Sequence, residues 1–321
     1  MNRRHLLHRL AFVALTAVAA QAAAQSYPDR PVRMIVPFPP GTATDLLARV
    51  VAQQLQATLG QPFIVDNKAG AGGSIAGSEV VRAAPDGYTL LFSSNSAIAS
   101  NVALLKSIPY DPLKDFTPIA GIGENMLVLM VKANFPTKTL PEFIAYAKQR
   151  PGKLSAGYGS SSSQVSIAML NKLAGLDTLP VPYKGIPLAV NDLIGGSIDF
   201  TFVDLGNAIA QVKGGALRPL GVTSAKRNPL VADWPALAET MPGYDITAWF
   251  GMVGPAGMPR DVVDKLSAAT IKVLGQADVR DRFATIGTAP MPMAPDRLRA
   301  FMAAEVAKWT RLVKEANIQP E

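Results

Sequence analysis

The stretch VRMIVPFPPGTATDLLARVVAQQLQATLG, residues 32–60, combines the patterns of a strand, a tight loop and a helix. The strand pattern covers the mostly apolar residues 32–36, and the prolines and glycine of residues 37–41 end it. Apolar side chains then recur at helical spacing, at Leu46, Leu47, Val50, Val51, Leu55 and Leu59, before the helix stop Gly60. Such a strand-loop-helix unit is the building block of α/β proteins.

The same alternation of strand and helix patterns continues through most of the chain. Further strands are predicted at residues 63–66, 88–92, 125–131, 154–158, 181–183, 200–203, 217–223 and 244–253. Three amphipathic helices, beginning near Pro259, Ala277 and Pro295, are predicted to pack back onto the first domain. The predicted class is therefore α/β, with mainly parallel sheets flanked by helices and a first domain crossing near residue 125.

The N-terminal residues have the pattern of a secretory signal. Arg3, Arg4 and Arg9 precede the apolar residues 10–20 and three consecutive alanines that end at Ala24. The apolar run is shorter than the ~20 residues that a membrane-spanning helix needs, so a permanent anchor is the weaker alternative. We predict a cleaved signal peptide at residues 1–24 and a periplasmic protein, with the Sec or Tat export route left open.

The composition excludes several classes of chemistry. The chain has no cysteine, and its 2 histidines, His5 and His8, both lie in the predicted signal. The mature protein therefore lacks Ser-His-Asp and Cys-His arrangements and the usual zinc ligands. We predict no cofactor, no metal and no enzymatic activity. The formal net charge of +7 is spread without basic blocks, which does not indicate nucleic acid as a partner.

The first candidate binding loop joins the opening strand to its helix and contains Gly41, Thr42, Thr44 and Asp45. Thr42 and Asp45 have the spacing of a capping box, and the unpaired N–H groups at a helix start attract anions. The alternative is that Thr42 and Asp45 only cap their own helix.

Two further loops are rich in hydroxyl groups. Ser93 and Ser94 stand where a predicted parallel strand ends, which is where α/β sheets bind ligands, although a plain polar turn is the alternative. The second loop, Ser160, Ser161, Ser162 and Ser163, lies between a strand and a helix; its alternative is a flexible linker. Two such loops facing each other are expected to clamp both ends of a diacid.

Other residues after strands remain open to two interpretations. Tyr183 and Asp204 are candidate ligand contacts, with core packing as the alternative for Tyr183. Lys184 permits a hydrolase that works through serine and lysine, but no S-x-x-K motif supports it. The glycine-rich residues 70–73 match no nucleotide-binding spacing and are interpreted as a turn.

The ordered motifs of the mature chain resemble the Bug family, the extracytoplasmic receptors of tripartite tricarboxylate transporters. The segments that carry the resemblance are residues 27–33, 36–45, 67–73, 86–91, 109–116, 181–185, 192–196, 217–223 and 249–251. The resemblance implies a type II periplasmic binding protein of the Venus-flytrap kind, with two interdomain crossovers. It implies domain 1 at residues 25–124 and 246–321, domain 2 at residues 125–245, and a ligand cleft between them.

The resemblance also implies a function and a set of contacts. A small carboxylate (a dicarboxylate or tricarboxylate, an amino acid or an aromatic acid) is expected between the two strand-to-helix loops, with Ser93, Ser94, Tyr183 and Asp204 lining the cleft. The implied partners of the monomeric receptor are membrane permease subunits or a sensor protein. Two departures from the family pattern are Thr42, where a second glycine is usual, and Ser166-Ile167, where a histidine commonly precedes an aliphatic residue.

Overall fold

A computed structural model describes residues 27–320, so the predicted signal peptide lies outside the described residues. The strands are β1 (Val32–Val36), β2 (Phe63–Asn67), β3 (Thr89–Ser94), β4 (Phe116–Lys132), β5 (Ser155–Tyr158), β6 (Leu179–Pro182), β7 (Phe200–Asp204), β8 (Leu217–Val222), β9 (Thr247–Pro255) and β10 (Thr288–Met293). The α-helices are α1 (Ala43–Leu59), α2 (Ser74–Val81), α3 (Asn101–Leu104), α4 (Leu140–Lys148), α5 (Ser161–Ala174), α6 (Ile186–Gly195), α7 (Leu205–Lys213), α8 (Arg260–Leu274), α9 (Ala277–Thr285) and α10 (Pro295–Glu315). A π-helical turn, Ser96–Ser100, precedes α3.

The strands form two lobes that share β4. In the first lobe the strand order is β2-β1-β3-β9-β4, with β10 on the first part of β4. In the second lobe the last part of β4 pairs with β7 and β8, and the sheet continues through β5 to β6. The partner changes between Asn125, opposite Thr288 of β10, and Leu127, opposite Asp204 of β7. β4 thus carries the chain from one lobe to the other, while the exact domain boundaries stay a prediction.

The sheets are mixed in direction. β1 runs parallel to β2 and β3, and β5 runs parallel to β6 and β7, as predicted. β4 and β9 are antiparallel to their neighbours. The departure from mainly parallel sheets has a topological cause, because β4 and β9 run directly between the lobes, whereas parallel neighbours need a crossover connection.

Several element boundaries differ from the sequence patterns. β4 begins at Phe116 and not near residue 125. Pro118, which argues against a strand in the sequence, lies inside β4 at a shift of register. α5 begins three residues before its predicted start at residue 164, so most of the second serine loop is the first turn of a helix. Ser93 and Ser94 belong to β3 and are not loop residues. β10 was not predicted.

The helices bury their apolar faces on the lobes as their periodicity predicts. In the first lobe, Leu47, Val51 and Leu55 of α1 pack with Leu266 of α8 against the sheet. The helix ends at Gly60, whose positive φ of 77° lets its N–H reach the carbonyl of Gln56. The three C-terminal helices lie in the first lobe, as predicted, and α10 also contacts α5. This packing fixes the start of α1 at the cleft between the lobes.

The lobes also touch behind the cleft, where α7 meets the end of α9. A methyl group added at Gly206 would lie 2.4 Å from the carbonyl oxygen of Ile286, which is backbone and cannot turn aside. We therefore expect Gly206→Ala to lower the free energy of unfolding by about 1–3 kcal/mol and to widen the angle between the lobes. Thermal unfolding and small-angle scattering measure the two effects.

Gly214, at the other end of α7, supplies the matched control. Its φ of −73° suits alanine, and a methyl group there would stand 3.4 Å from its nearest neighbour. Gly214→Ala is expected to leave melting temperature and shape unchanged. Equal behaviour of the two variants would contradict the close approach of the lobes at Gly206.

Candidate functional site

The first loop is held in shape by hydrogen bonds of its own side chains. Thr42 caps α1, since its hydroxyl accepts a hydrogen bond from the Asp45 N–H at 3.3 Å and donates to the Pro39 carbonyl at 3.0 Å. The Asp45 carboxylate accepts hydrogen bonds from the Gly41 N–H at 3.0 Å and from the side chains of Arg49 and Asn67. Burial opposes the charge of Asp45, but the hydrogen bonds from Arg49, Gly41 and Asn67 outweigh it and lower the pKa of this carboxyl. Asp45 therefore stabilises the loop from behind.

The second loop forms a capping box made of serines. Ser160 caps α5, because its hydroxyl accepts from the Ser163 N–H at 3.2 Å. The Ser163 hydroxyl in turn accepts from the N–H groups of Gly159 and Ser160, at 3.1 and 3.0 Å. Ser163 thus takes the part that glutamate has in the usual motif. Its hydroxyl is fully occupied inside the second lobe.

The two loops face each other across a narrow inner cleft with a volume of about 30 Å³. Its polar lining comes from both lobes and consists of Thr42, Thr44, Ser94, Ser160, Ser162 and Asp204. The remaining lining residues are Phe38, Ala43, Leu127, Gly159, Ile186, Ala248 and Phe250. Within the described part of the chain, no lysine, arginine or histidine lines this cleft.

Helix starts supply the positive potential that basic side chains do not. The first turns of α1, α5 and α6 contribute Thr44, Ser162 and Ile186 to the lining, and Asp204 stands directly before α7. The first N–H groups of a helix have no partner within that helix, and its N-terminal end carries a partial positive charge. A cleft built from several such ends and from hydroxyl groups suits an anion with several acceptor oxygens.

Asp204 is the one acidic residue in this lining. It is the N-cap residue of α7, yet its side chain makes no capping hydrogen bond to that helix. Its carboxyl instead faces the side-chain amides of Asn125 and Asn207 and, across the cleft, the N–H of Ala43 at the start of α1. Burial raises the pKa of the Asp204 carboxyl, and these donors offset only part of that effect.

A hydrogen-bonded network, which we call the interlobe latch, closes one side of the cleft. It joins Asn95, Ser96 and Ser100 of the first lobe to Ser161 and Ser162 of the second. The Ser161 hydroxyl lies 2.8 Å from the Ser96 hydroxyl, 2.6 Å from the Ser100 hydroxyl and 3.1 Å from the Asn95 amide nitrogen. The latch residues are buried, so the lobes are closed on each other here.

An outer hollow lies on the other side of Phe38 and Ser160, which line both spaces. It has a volume of about 300 Å³ and is also lined by Ser161, Tyr183 and the exposed Lys184. The Tyr183 hydroxyl donates to Asp192 at 2.7 Å, and burial together with this bond raises the pKa of Tyr183 to about 12. The Tyr183 hydroxyl is thus engaged within its own lobe.

The structure divides the predicted site residues into three groups. Thr42, Thr44, Ser94, Ser160, Ser162 and Asp204 line the inner cleft, and Ser160, Ser161 and Tyr183 line the outer hollow. Gly41, Asp45, Ser93 and Ser163 line neither space. Hydrogen bonds of Gly41, Asp45 and Ser163 hold the two loops from behind, and the Ser93 hydroxyl donates to the Ser94 carbonyl within β3. Asp45 therefore acts at the cap of its own helix, which was the alternative to ligand binding. The ligand contacts themselves stay a prediction.

Sequence reasoning missed the first-lobe half of the latch. Asn95 and Ser96 directly follow Ser93 and Ser94 in a serine-rich stretch, but no sequence pattern indicates a role for Ser100. Ser100 lies five residues after Asn95, and the π-helical turn between them brings the two together. The Ser100 hydroxyl donates to the Asn95 carbonyl at 3.1 Å. The polar composition of residues 93–101 could have indicated a site. The five-residue spacing of Asn95 and Ser100 could not, because it matches neither an α-helix nor a strand.

The glycine-rich residues 70–73 and the serine–lysine pair were the two other interpretations. The former form a 3₁₀ turn, with positive φ at Gly70, Gly72 and Gly73, next to α2. In the serine–lysine pair, the hydrogen bonds of the Ser161 hydroxyl go to latch residues and not to Lys184.

Comparisons with known proteins agree on one family. The profile described as "Tripartite tricarboxylate transporter family receptor" matches residues 47–318. The chain is 36% identical to Protein BugT of Bordetella pertussis over 322 residues, covering 99% of each chain. It is similar to the solved structure of R. palustris Rpa4515 with adipate, at 33% identity and a TM-score of 0.90, with 92% of this chain and 100% of that chain covered.

A second solved structure shares the fold. MatC from Rhodopseudomonas palustris with bound malate is 35% identical, has a TM-score of 0.85, and matches over 89% of this chain and 100% of its own. The predicted resemblance and the predicted two-domain binding-protein fold are confirmed by these likenesses. Among residues 27–320, no helix has both the length and the apolar character needed to span a bilayer.

Proposed function

Because this chain belongs to the tripartite tricarboxylate transporter family of receptors, we propose that it encloses a small carboxylate in the inner cleft and hands it to a membrane permease. The observation that carries the proposal is the convergence of helix N-termini and hydroxyl groups on a cleft without a basic side chain. Backbone N–H groups and hydroxyls hold a carboxylate without the strong desolvation penalty of a buried lysine or arginine. Such a site binds an anion and releases it readily when the lobes open.

The ligand class follows from the relatives and from the donors in the cleft. Adipate and malate, the compounds in the two similar structures, are both dicarboxylates. Thr44 in the first lobe and Ser160 in the second place hydroxyl groups on both sides of the cleft, whereas the hydroxyls of Ser94 and Ser162 donate to Ser96 and Asn95. We propose that a ligand carboxylate lies between Thr44 and Ser160 and the adjoining helix starts, so that it is held only when the lobes are closed.

The remaining parts of the proposal concern location and partners. The arginines and apolar run of residues 1–24 support export to the periplasm by a signal peptide. A receptor with an enclosed ligand presents a closed surface that a permease can distinguish from the open one. A serine–lysine hydrolase has no support in the geometry, since the latch occupies the Ser161 hydroxyl. Receptor function without catalysis accounts for the site.

Thr44 provides the direct test of the inner cleft. The protein is expected to show a raised melting temperature with dicarboxylates such as malate or adipate; at 100 times the dissociation constant the stabilisation is ~2.7 kcal/mol. Thr44→Val keeps the side-chain shape but removes a hydroxyl of the buried lining, and we expect about tenfold weaker binding by calorimetry.

Thr58 near the other end of α1 is the matched control. Its exposed hydroxyl donates to the Gln54 carbonyl of the same helix, far from the lining. Thr58→Val is expected to bind as the wild-type protein does. The proposal fails if no carboxylate shifts the melting temperature, and the cleft assignment fails if Thr44→Val and Thr58→Val bind alike.

A further inference from the structure

Asp204 puts a second carboxyl group in the cleft that the ligand carboxylate is to occupy. Its side chain is buried, lies opposite the start of α1 and leaves its own helix uncapped. An acidic residue at this place is unexpected in a site for anions, because two ionised carboxyl groups in one buried cleft repel each other strongly. The ligand-binding state has to contain something that relieves this repulsion.

The charged side chains around Asp204 do not supply that relief. The charged side chains of α1, of the first-lobe part of β4, of the segment before α6 and of α9 include Asp45, Arg49, Glu124, Lys184 and Arg282. Arg49 pairs with Asp45 at 2.9 Å, and Arg282 donates to Gln53. Arg49 and Arg282 line a separate groove beyond Asn207, while Glu124 and Lys184 are exposed. Within the described residues, no cation lines the inner cleft with Asp204.

The neighbouring Asn125 is a second, independent observation. Its side chain is 2% exposed, and neither its amide nitrogen nor its amide oxygen closes a hydrogen bond within residues 27–320. The amide nevertheless faces the Asp204 carboxyl. A buried amide that closes no hydrogen bond is costly, by about 1–3 kcal/mol for each unsatisfied group, so the polar groups beside Asp204 are open to a further polar atom.

We propose that Asp204 makes ligand binding proton-linked: the ligand carboxylate and the Asp204 carboxyl share one proton inside the closed cleft. The inference rests on the proposed function, since it needs an anionic ligand in the inner cleft. One proton is taken from solution for each ligand bound at pH values where Asp204 is ionised in the ligand-free protein. Asp204 then acts as a specificity residue, because it accepts an acid together with a proton and disfavours an anion that cannot share one.

The direction of the pH dependence follows from the same geometry. Burial already raises the pKa of Asp204 in the ligand-free protein, and a second negative charge beside it raises that pKa further in the complex. Proton uptake occurs at pH values between those two pKa values. Affinity therefore increases as pH falls through this window, by about tenfold per pH unit, and levels off below the pKa of the ligand-free form.

The test uses malate and adipate as probes and the mature protein. Calorimetry at about pH 6 to 8, where carboxylate ligands are ionised, in buffers of different ionisation enthalpy gives both the affinity and the number of protons taken up. The expected result is uptake approaching one proton in the wild-type protein and affinity that rises toward low pH. In Asp204→Asn the amide donates a hydrogen bond to the ligand and no proton has to be taken from solution. Proton uptake is therefore expected to vanish, and affinity to become independent of pH.

Asp245→Asn is the matched control, because Asp245 is an exposed carboxylate that accepts from the Ala225 N–H away from the cleft. It is expected to keep the proton uptake of the wild-type protein. Binding of a probe with no proton uptake, or with uptake that survives in Asp204→Asn, would overturn the inference and leave the receptor function standing. Absence of binding by any carboxylate would remove both.

Discussion

Replacing Ser161 by alanine is expected to weaken carboxylate binding by roughly 5- to 150-fold without unfolding either lobe. The Ser161 hydroxyl is the centre of the interlobe latch, with Ser96 at 2.8 Å and Ser100 at 2.6 Å. In the open protein the partners of this hydroxyl reach water. In the closed form of the alanine variant, the Ser96 and Ser100 hydroxyls are buried without the Ser161 hydroxyl, and this lost hydrogen bonding costs about 1–3 kcal/mol. The penalty therefore falls on closure.

The latch links that penalty to affinity. If only the closed form holds the ligand on both sides, the apparent dissociation constant rises as the closed fraction falls. Calorimetry with malate or adipate measures the loss, and small-angle scattering of the ligand-free protein should show a larger radius of gyration. The second measurement needs no ligand, so it tests the latch even if the ligand class is wrong.

Ser166 offers a control on the same helix. It is also fully buried, but its hydroxyl has no hydrogen-bond partner within the described residues. Ser166→Ala removes an unsatisfied group and is expected to leave affinity and shape unchanged, and stability unchanged or slightly improved. If Ser161→Ala matched this control in both measurements, the latch would have no part in closure.

The elements that could be predicted are those with a local signal. β1, α1 and Gly60 were all indicated by the spacing of apolar side chains within residues 32–60, and the structure has them at those places. The three C-terminal helices begin within one residue of their predicted starts for the same reason. Hydrophobic periodicity is a property of neighbouring residues, so one sequence suffices to find it.

β10 and the first part of β4 could not be predicted because their stability comes from distant partners. The sequence of β10 contains Pro290 and Pro292, which argue against a strand unless it pairs at a sheet edge. Its partner strand receives it closely, since a methyl group at Gly123 would lie 2.9 Å from the Ala289 carbonyl oxygen. Only the tertiary structure brings these segments together.

The candidate site shows the same division. The residue types of the two loops predicted an anion site, and Thr44, Ser160 and Ser162 do line the cleft. The latch joins residues 65 positions apart, Ser96 and Ser161, and no local pattern records such a pairing. That Asp204 leaves α7 uncapped and meets the N–H of Ala43 depends on the approach of α1 from the other lobe. The arrangement between the lobes is therefore what the sequence left undetermined.

Replacing Glu305 by alanine is expected to lower the free energy of unfolding by about 3–5 kcal/mol, the largest stability effect that we foresee. Glu305 is a carboxylate of α10 that is only 6% exposed. Its Oε2 accepts from the indole N–H of Trp249 at 2.7 Å and of Trp309 at 2.9 Å, and Lys308 lies 3.3 Å from Oε1. One side chain thus joins α10 to β9.

Alanine at position 305 would leave both indole N–H groups buried without an acceptor and open a cavity beside them. Since a domain of this size loses about 2–4 °C in melting temperature per kcal/mol, we expect a decrease of roughly 6–20 °C by calorimetry. Glu305→Gln keeps the volume and one acceptor oxygen, so its decrease should be smaller. Glu315→Ala is the control, because this glutamate of the same helix is exposed and lies 3.8 Å from Arg311. If Glu305→Ala and the control melted at the same temperature, α10 would be held to β9 by apolar packing alone. The principal contact would then be that of Trp249 with Phe301, whose ring centroids lie 4.9 Å apart.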